Sequence, residues 1–440
     1  MSVVPSSSAD PPHPAGPGLE VRPFRALTYR RRDPDHLARV SSPAYDLVGP
    51  GGRERLAAAD PHNIVRLILP RVAPGPDGSG ADALGRSAAE AAATLRDWQS
   101  AEVLEREAEP ALWVYAMKPS DGAPATVGWL AAVTLPAAGS RAVLPHEDTF
   151  PAAVEGRRAL LEATGTDLEP IVLAHDPHPD VPGLTVAAQD GAPFLEVADA
   201  DGVRHSLWRV TDPDLVARVT AALADTEAVI ADGHHRFAAA QAHAMTRRGG
   251  GGADAILALV TPMGPGGLRV QPIHRVVPDL ALDEALAAAA ADFRVTELPV
   301  DGGGPADAVR RWLSDPDQTG LLVGDGHRLA RLDHPSPQVH GSVPAEAPEA
   351  WRGLDVVLAH HGLVHWLWGR TDDPESVLPA HGVEEALRGA QARRGVALLL
   401  RAASPADVAA VARAGARMPR KSTLFVPKPR TGLVLRPHTD

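Results

Sequence analysis

Residues 227–261 constrain the fold more than any other part of the chain. A short apolar run, 227–231, leads into Asp232-Gly233-His234-His235-Arg236. An Ala-rich stretch to about 248, the glycines at 249–252 and a second apolar run, 253–261, follow. Apolar runs of this length bounded by turn residues predict strands, the Ala-rich stretch predicts a helix, and glycines end helices. The second run lacks polar alternation, which suits a strand covered on both faces of a sheet. This βαβ-like order calls for an α/β protein, or a mixed α+β one, with mixed sheets flanked by helices.

The rest of the chain fits that class. Leu84, Ala88, Ala91, Leu95 and Trp98 recur at helical spacing within 81–104, and further helices are predicted at 154–164, 214–224, 282–292, 305–313, 354–368, 383–390 and 405–414. Strands are predicted at 63–70, 111–117, 128–135, 321–323, 329–332 and 396–400. A chain of 440 residues exceeds one ordinary domain. The expected division is a Pro/Ser/Ala-rich tail at 1–18 with too few large apolar side chains to fold, an α/β domain at 19–211, and a second at 212–440.

With no cysteine, thiolate chemistry, disulfides and cysteine-held metals are excluded. No leader-like or membrane-spanning run occurs, so a cytoplasmic location and no membrane partner are expected. A net charge of -12 weighs against nucleic acid, which needs a broad basic face, while leaving room for a local basic pocket. Of 43 basic residues only Lys118, Lys421 and Lys428 are lysines. Two of them fall close together, where a compact ammonium rather than a guanidinium is kept.

The turn at 232–236 joins a strand end to a helix start, where unpaired N–H groups and the helix dipole attract anions. Gly233 permits the tight turn, and Asp232 can cap the helix, act as a base or hold a metal. His234 and His235 offer proton transfer or ligation, and Arg236 offers a fork for phosphate or carboxylate. Gly324-Asp325-Gly326-His327-Arg328 looks alike, but strands flank it on both sides; it predicts a hairpin turn. In the predicted loop Pro145-His146-Glu147-Asp148-Thr149, Glu147 is a candidate base or Mg²⁺ ligand and His146 a supporting group. Lys421, Ser422, Thr423 and Lys428 combine cations and hydroxyls as phosphate-binding segments do. Asp46, Asn63 and Arg66 are polar residues beside predicted strands and are taken as substrate-binding or supporting candidates. His361 and His365 lie one helical turn apart, but their apolar neighbours predict a packing helix. Neither a Walker loop nor a GxGxxG fingerprint is present.

Together, Ser42-Pro43-Ala44-Tyr45-Asp46-Leu47-Val48, Asn63-Ile64-Val65-Arg66-Leu67, Pro145-His146-Glu147, Ala231-Asp232-Gly233-His234-His235-Arg236 and the segment from Met418 to Lys428 resemble a prokaryotic family. It is the domain-of-unknown-function family ten-fifteen. The sequence departs from that family's pattern at Val154-Glu155-Gly156, where a lysine is usual, with Arg157 following. The Asp-Gly-His-His-Arg turn also resembles an element of the ParB and sulfiredoxin superfamily, which includes nucleotide hydrolases and free-serine kinases. That second resemblance implies ATP or ADP, with Mg²⁺, as cofactors. It also implies Asp232 as a base or metal-positioning carboxylate and His234, His235 and Arg236 as phosphate contacts. The resulting expectation is a phosphotransferase or phosphohydrolase acting on a small hydroxy metabolite such as serine. A non-catalytic nucleotide-binding regulator and a ParB-like DNA-binding protein are the rival expectations.

Overall fold

The computed structural model describes residues 18–71, 82–137, 139–247, 252–264, 266–371, 373 and 375–439. The expected tail, apart from residue 18, and the glycines at 249–251 lie outside them. Nine strands make the larger sheet: β1 Val21–Arg22, β2 Leu112–Lys118, β3 Thr126–Thr134, β4 Val143–Leu144, β5 Ile171–His175, β6 Leu195–Ala198, β7 Arg204–Val210, β8 Ala228–Asp232 and β9 Ala255–Pro262. Their order is β4-β8-β5-β9-β3-β2-β7-β6, with β1 added against β3. The β4–β8 and β5–β9 pairs are parallel and the others antiparallel, so the sheet is mixed.

β9 is buried throughout apart from its final proline. Its Leu257 and Leu259 enter one core with Trp113, Tyr115 and Trp98, while Ile256, Ala258 and Val260 enter another with Trp129, Leu173 and Leu223. An apolar residue at every position is what a strand between two cores requires. On the first face lie α1 Ala83–Ser100 and α2 Pro151–Thr164, and α3 His234–Arg247 packs against α2.

Several expectations change. β8 and β9 flank α3 in sequence, yet β5 lies between them and they run antiparallel, so the passage is strand, helix, strand without being a parallel crossover unit. The larger sheet also draws strands from both sides of residue 212, and the second sheet starts only after residue 273. Residues 63–70 form no strand. The Asn63 side chain accepts the Val65 N–H at 2.9 Å and donates to the Arg39 and Ser41 carbonyls, turning the chain into the helical segment Val65–Ile68. Val65, Leu67 and Ile68 are all buried there, so packing overrides β propensity.

The second half contributes β10 Arg269–Pro272, β11 His274–Val277, β12 Arg294–Leu298, β13 Leu321–Gly324, β14 Leu329–Asp333, β15 Leu378–Ala380, β16 Val396–Leu399 and β17 Thr423–Val426. Six of these form an antiparallel sheet, β12-β14-β13-β16-β11-β15, and β10 pairs separately with β17. Asp325-Gly326 forms the β13–β14 hairpin turn. Asp325 Oδ1 accepts the N–H groups of His327 and Arg328, both at 2.8 Å, and Gly326 has φ of 95°. The predicted helix at 354–368 is instead a short α segment, Asp355–Leu358, running into a π-helix, Ala359–Leu367.

The two halves are stitched by apolar contact. Leu144, Val172, Val229 and Ala231 from the first sheet meet Val408, Ala412 and Phe425. Beyond β17 the chain returns to the first half, where Leu433, Val434 and Leu435 join its core. Arg436 Nη1 meets Asp167 Oδ2 at 2.8 Å with both side chains 4% exposed, and the same oxygen accepts the Leu257 N–H of β9 at 2.9 Å. Removing one partner of a buried ion pair strands the other charge. Arg436→Met is therefore expected to lower unfolding free energy by about 3–5 kcal/mol, read by urea denaturation. An unchanged midpoint would show that the Arg436–Asp167 pair contributes nothing to the stability of the first half.

Candidate functional site

A cavity of about 780 Å³ lies where β8, α3, the 145–150 loop, the π-helix and the 417–428 segment meet. It is bordered by Asp46, Glu147, Asp232, Gly233, His234, His235, Arg236, Lys421, Thr423 and Lys428. These residues span almost the whole chain, and the cavity falls in the size range of small-molecule sites.

Asp232 ends β8 and His234 begins α3, with Gly233 between them at φ of 96°. A Cβ on Gly233 would stand 2.7 Å from Ile171 Cγ2, so both conformation and space require glycine there. The N–H groups of the first turn of α3 lack intrahelical acceptors and lie at the cavity wall.

Lys428 donates from Nζ to Asp232 Oδ1 at 2.6 Å and to Asp46, while Arg236 donates to the other oxygen of Asp232. Two cations thus face two carboxylates, and the cluster is neutral as a set. Burial disfavours the charged forms of Lys428 and Asp46, but their attraction outweighs it: the Lys428 ammonium is held above its usual range and the Asp46 carboxyl below its own. Arg236 is occupied within the protein, since its other terminal nitrogen donates to the Pro170 carbonyl at 2.7 Å. The expected phosphate fork is therefore not directed at a ligand; Arg236 fixes Asp232.

The histidines are also ordered by their partners. His234 Nε2 accepts the His146 N–H at 3.3 Å, and His146 Nε2 meets Thr423 Oγ1 at 2.9 Å. Burial drives the imidazole of His234 well below its ordinary value and that of His146 down to about 4, so both are neutral. His235 is half-buried, and its Nε2 accepts the Phe150 N–H at 3.1 Å; as a neutral ring it carries its proton on Nδ1. The Phe150 ring stacks on it at 5.9 Å. Glu147 Oε1 accepts the Lys421 N–H at 3.1 Å. Burial first, and Asp232 second, raise the Glu147 carboxyl against the opposing pull of Lys421. A carboxyl moved toward neutrality is suited to proton transfer. Lys421 is exposed at the wall and in the left-handed region, φ 55°, and among the described residues its ammonium has no carboxylate partner within ion-pair distance.

His146 stands behind the wall, as does Ser422, whose hydroxyl donates to the Pro419 carbonyl. Asn63 and Arg66 are away from the cavity: Asn63 holds its own turn, and Arg66 donates to the Ala57 carbonyl at 2.8 Å. Arg157, standing near the position of the family's lysine, lies 3.8 Å over the Tyr45 ring and donates to the Ile68 carbonyl. Arg417 and Arg420, from the basic segment that ends at Lys428, also border the cavity; sequence reasoning missed Phe150, Trp351 and His381 on the wall, and it placed His361 and His365 in a packing helix although both border the cavity. The spacing of these two histidines was the one available signal.

Among the described residues no group of three or more His, Asp or Glu side chains could hold a metal ion. Asp232 spends both oxygens on cations and Asp46 spends one on Lys428, which leaves Glu147, the exposed Asp148 and the other oxygen of Asp46 as carboxylate donors. That donor set fits Mg²⁺ carried chiefly by ligand phosphates rather than a protein-only cage.

The fold and cavity define a mixed α/β protein with one composite polar site between two sheets. The chain belongs to a family of proteins of unknown function, DUF1015, matched over residues 21–357. Lys421 and Lys428 lie beyond the matched stretch. No curated protein matches the chain in sequence. Among solved structures, C-terminally truncated SbnI from Staphylococcus aureus is 14% identical, with 69% of this chain and 85% of that one covered and a TM-score of 0.36. A free serine kinase variant in complex with ADP is 13% identical over 64% and 84%, with a TM-score of 0.32. A conserved hypothetical protein from Pyrococcus furiosus is 13% identical over 64% and 87%, with a TM-score of 0.30.

Lys428→Met should leave Asp46 uncompensated and Asp232 with Arg236 as its remaining cation, and cost about 3–5 kcal/mol, part of which Asp46→Asn in the same chain should restore; calorimetry would read both. The neutral histidines set a pH dependence. An imidazole whose value falls from 6.5 unfolded to about 4 folded gives stability that is complete above pH 6.5 and declines as pH falls toward 4. In urea midpoints taken from pH 7 to 4.5, His146→Gln should therefore lose less stability than the parent. Parallel curves would contradict the neutral, buried assignment.

Proposed function

We propose that the cavity binds the phosphates of a nucleotide and that the protein is a phosphoryl-transfer enzyme, a kinase or phosphohydrolase, acting on a small hydroxyl-bearing metabolite such as serine. The observation that carries this reading is the placement of Lys421 and the start of α3 on one cavity with Glu147. The first two attract a phosphoryl group, and the third, raised in pKa, can exchange a proton with a hydroxyl.

In the transfer, the substrate hydroxyl oxygen forms a bond to the terminal phosphorus while the bond from that phosphorus to the leaving phosphate oxygen breaks. Glu147 accepts the hydroxyl proton. Lys421 and the N–H groups at the start of α3 stabilise charge on the phosphoryl oxygens, where positioning and electrostatics do most of the work. Lys428 and Arg236 keep Asp232 charged and fixed, so that it shapes the site instead of acting as the base. Mg²⁺, when bound, would supply charge neutralisation at the phosphates, with Asp148 the carboxylate available to help hold it while Glu147 serves as the base.

The test is incubation of the purified chain with ATP or ADP, Mg²⁺ and a panel of hydroxy acids headed by serine, following phosphate release and phosphorylated product. Lys421→Ala should weaken nucleotide binding by about tenfold, the loss of one charge-assisted contact. Glu147→Gln should cut turnover by about 10²–10⁴-fold while leaving nucleotide affinity within a few-fold. Tight nucleotide binding with no turnover on any acceptor would replace the enzyme reading with that of a regulator. Salt-sensitive retention of DNA with no nucleotide binding would favour the DNA-binding alternative.

A further inference from the structure

The wall contributed by the second half differs in chemistry from the phosphate-binding side. Trp351, His361, Val364 and His365 border the cavity there. The Trp351 ring stands 5.3 Å from that of His361 in an edge arrangement, and its Nε1 donates to the Arg417 carbonyl at 2.7 Å, so the indole is fixed in place. His361 and His365 sit on the π-helix Ala359–Leu367, closed by bonds such as Trp368 N–H to Leu363 O at 2.8 Å. Local π geometry is expensive and concentrates at functional sites. It is seated by Gly362, where a Cβ would stand 2.7 Å from Val339 Cγ1, and by His360, whose Nε2 accepts from buried Arg275 at 3.2 Å.

Two further observations separate this wall from the ionic cluster. Among the described residues, the charges that lower His361 are those of His360 and His365, whereas His235 and His381 both sense Lys421. Among the described residues, neither the His361 nor the His365 ring hydrogen-bonds to another side chain or carbonyl, although both border the cavity. Burial, followed by its two histidine neighbours, lowers His361, so it presents a neutral ring with one donor and one acceptor.

We propose that this wall is a nucleobase subsite: the planar base of a bound nucleotide packs against His361 and Trp351, and the ring nitrogens of His365 read its edge. A planar heterocycle suits such a wall because its faces are apolar and polarizable while its rim carries donors and acceptors. The inference rests on the phosphate-binding reading above and adds to it a reason for the protein to distinguish a nucleotide from bare polyphosphate.

The test is calorimetric titration of the full chain with Mg²⁺-ATP and, separately, with Mg²⁺-tripolyphosphate, which carries the phosphates without the base. The expected result is ATP binding at least tenfold tighter than tripolyphosphate. The double variant His361→Ala, His365→Ala should bring ATP to within a few-fold of tripolyphosphate while tripolyphosphate affinity stays unchanged. His361→Phe with His365 intact should retain most of the ATP preference, because the stacking face remains. Tripolyphosphate binding as tightly as ATP to the parent chain would overturn the subsite while sparing the phosphate site. A double variant that loses both ligands alike, or neither, would do the same. Failure of the parent chain to bind either ligand would overturn both readings together.

Discussion

A single ammonium between two carboxylates organises this molecule. Lys428 reaches Asp232 at the end of β8 and Asp46 in the turn near the amino-terminal side, so three segments far apart in the chain converge on one nitrogen. A charge this shielded from water is costly unless matched, and both partners are charges of the opposite sign. Arg236 completes the set from one turn into α3. The remainder of the carboxyl-terminal segment follows from this anchor, with β17 pairing to β10 on one side and Arg436 closing on Asp167 on the other.

This internal neutralisation determines what the cavity can offer a ligand. Asp232, Lys428 and Arg236 are conspicuous charged groups of the site, yet they satisfy one another. In the function proposed above the attraction for an anion falls to Lys421 and the start of α3, and proton exchange to Glu147, whose carboxyl is raised because it is buried near Asp232 without a matching ion pair. The buried pair His146 and His234 supports this arrangement from behind, holding Thr423 and the 145–150 loop in register with α3. The second half adds a wall of a different kind, aromatic and neutral.

Much of the site was legible in the sequence because short-range rules govern its centre. A strand end, a glycine that must adopt positive φ and an Ala-rich helix start suffice to place the turn at 232–236 and to separate it from its look-alike at 324–328, where strands on both sides force a hairpin. Other features were not legible. Asn63 lies in a run of strand-forming residues, but its side chain bonds to the backbone of residues 39, 41 and 65 and bends the run into a helix. His361 and His365 carry the spacing of an ordinary packing helix, and nothing local reveals that the helix widens to π geometry beside a cavity. The direction of β9 was equally hidden, because β5, Ile171–His175, enters between it and β8 from well before either in the chain.

By itself the sequence determined the fold class, the turn at its centre and the pool of polar residues from which a site had to be drawn, because periodicity, turn chemistry and residue type act over a few neighbours. Only the tertiary structure decided which of those residues border the cavity. It turned Arg236 inward onto Asp232 and Pro170, set Asn63 and Arg66 apart as structural residues, left Lys421 at the wall, and brought Trp351 and His361 to the same space. The physical reason is that a charged side chain is spent by whichever partner lies within bonding distance, and that partner can stand one helical turn away, as Asp232 does for Arg236, or at the other end of the chain, as Asp46 does for Lys428.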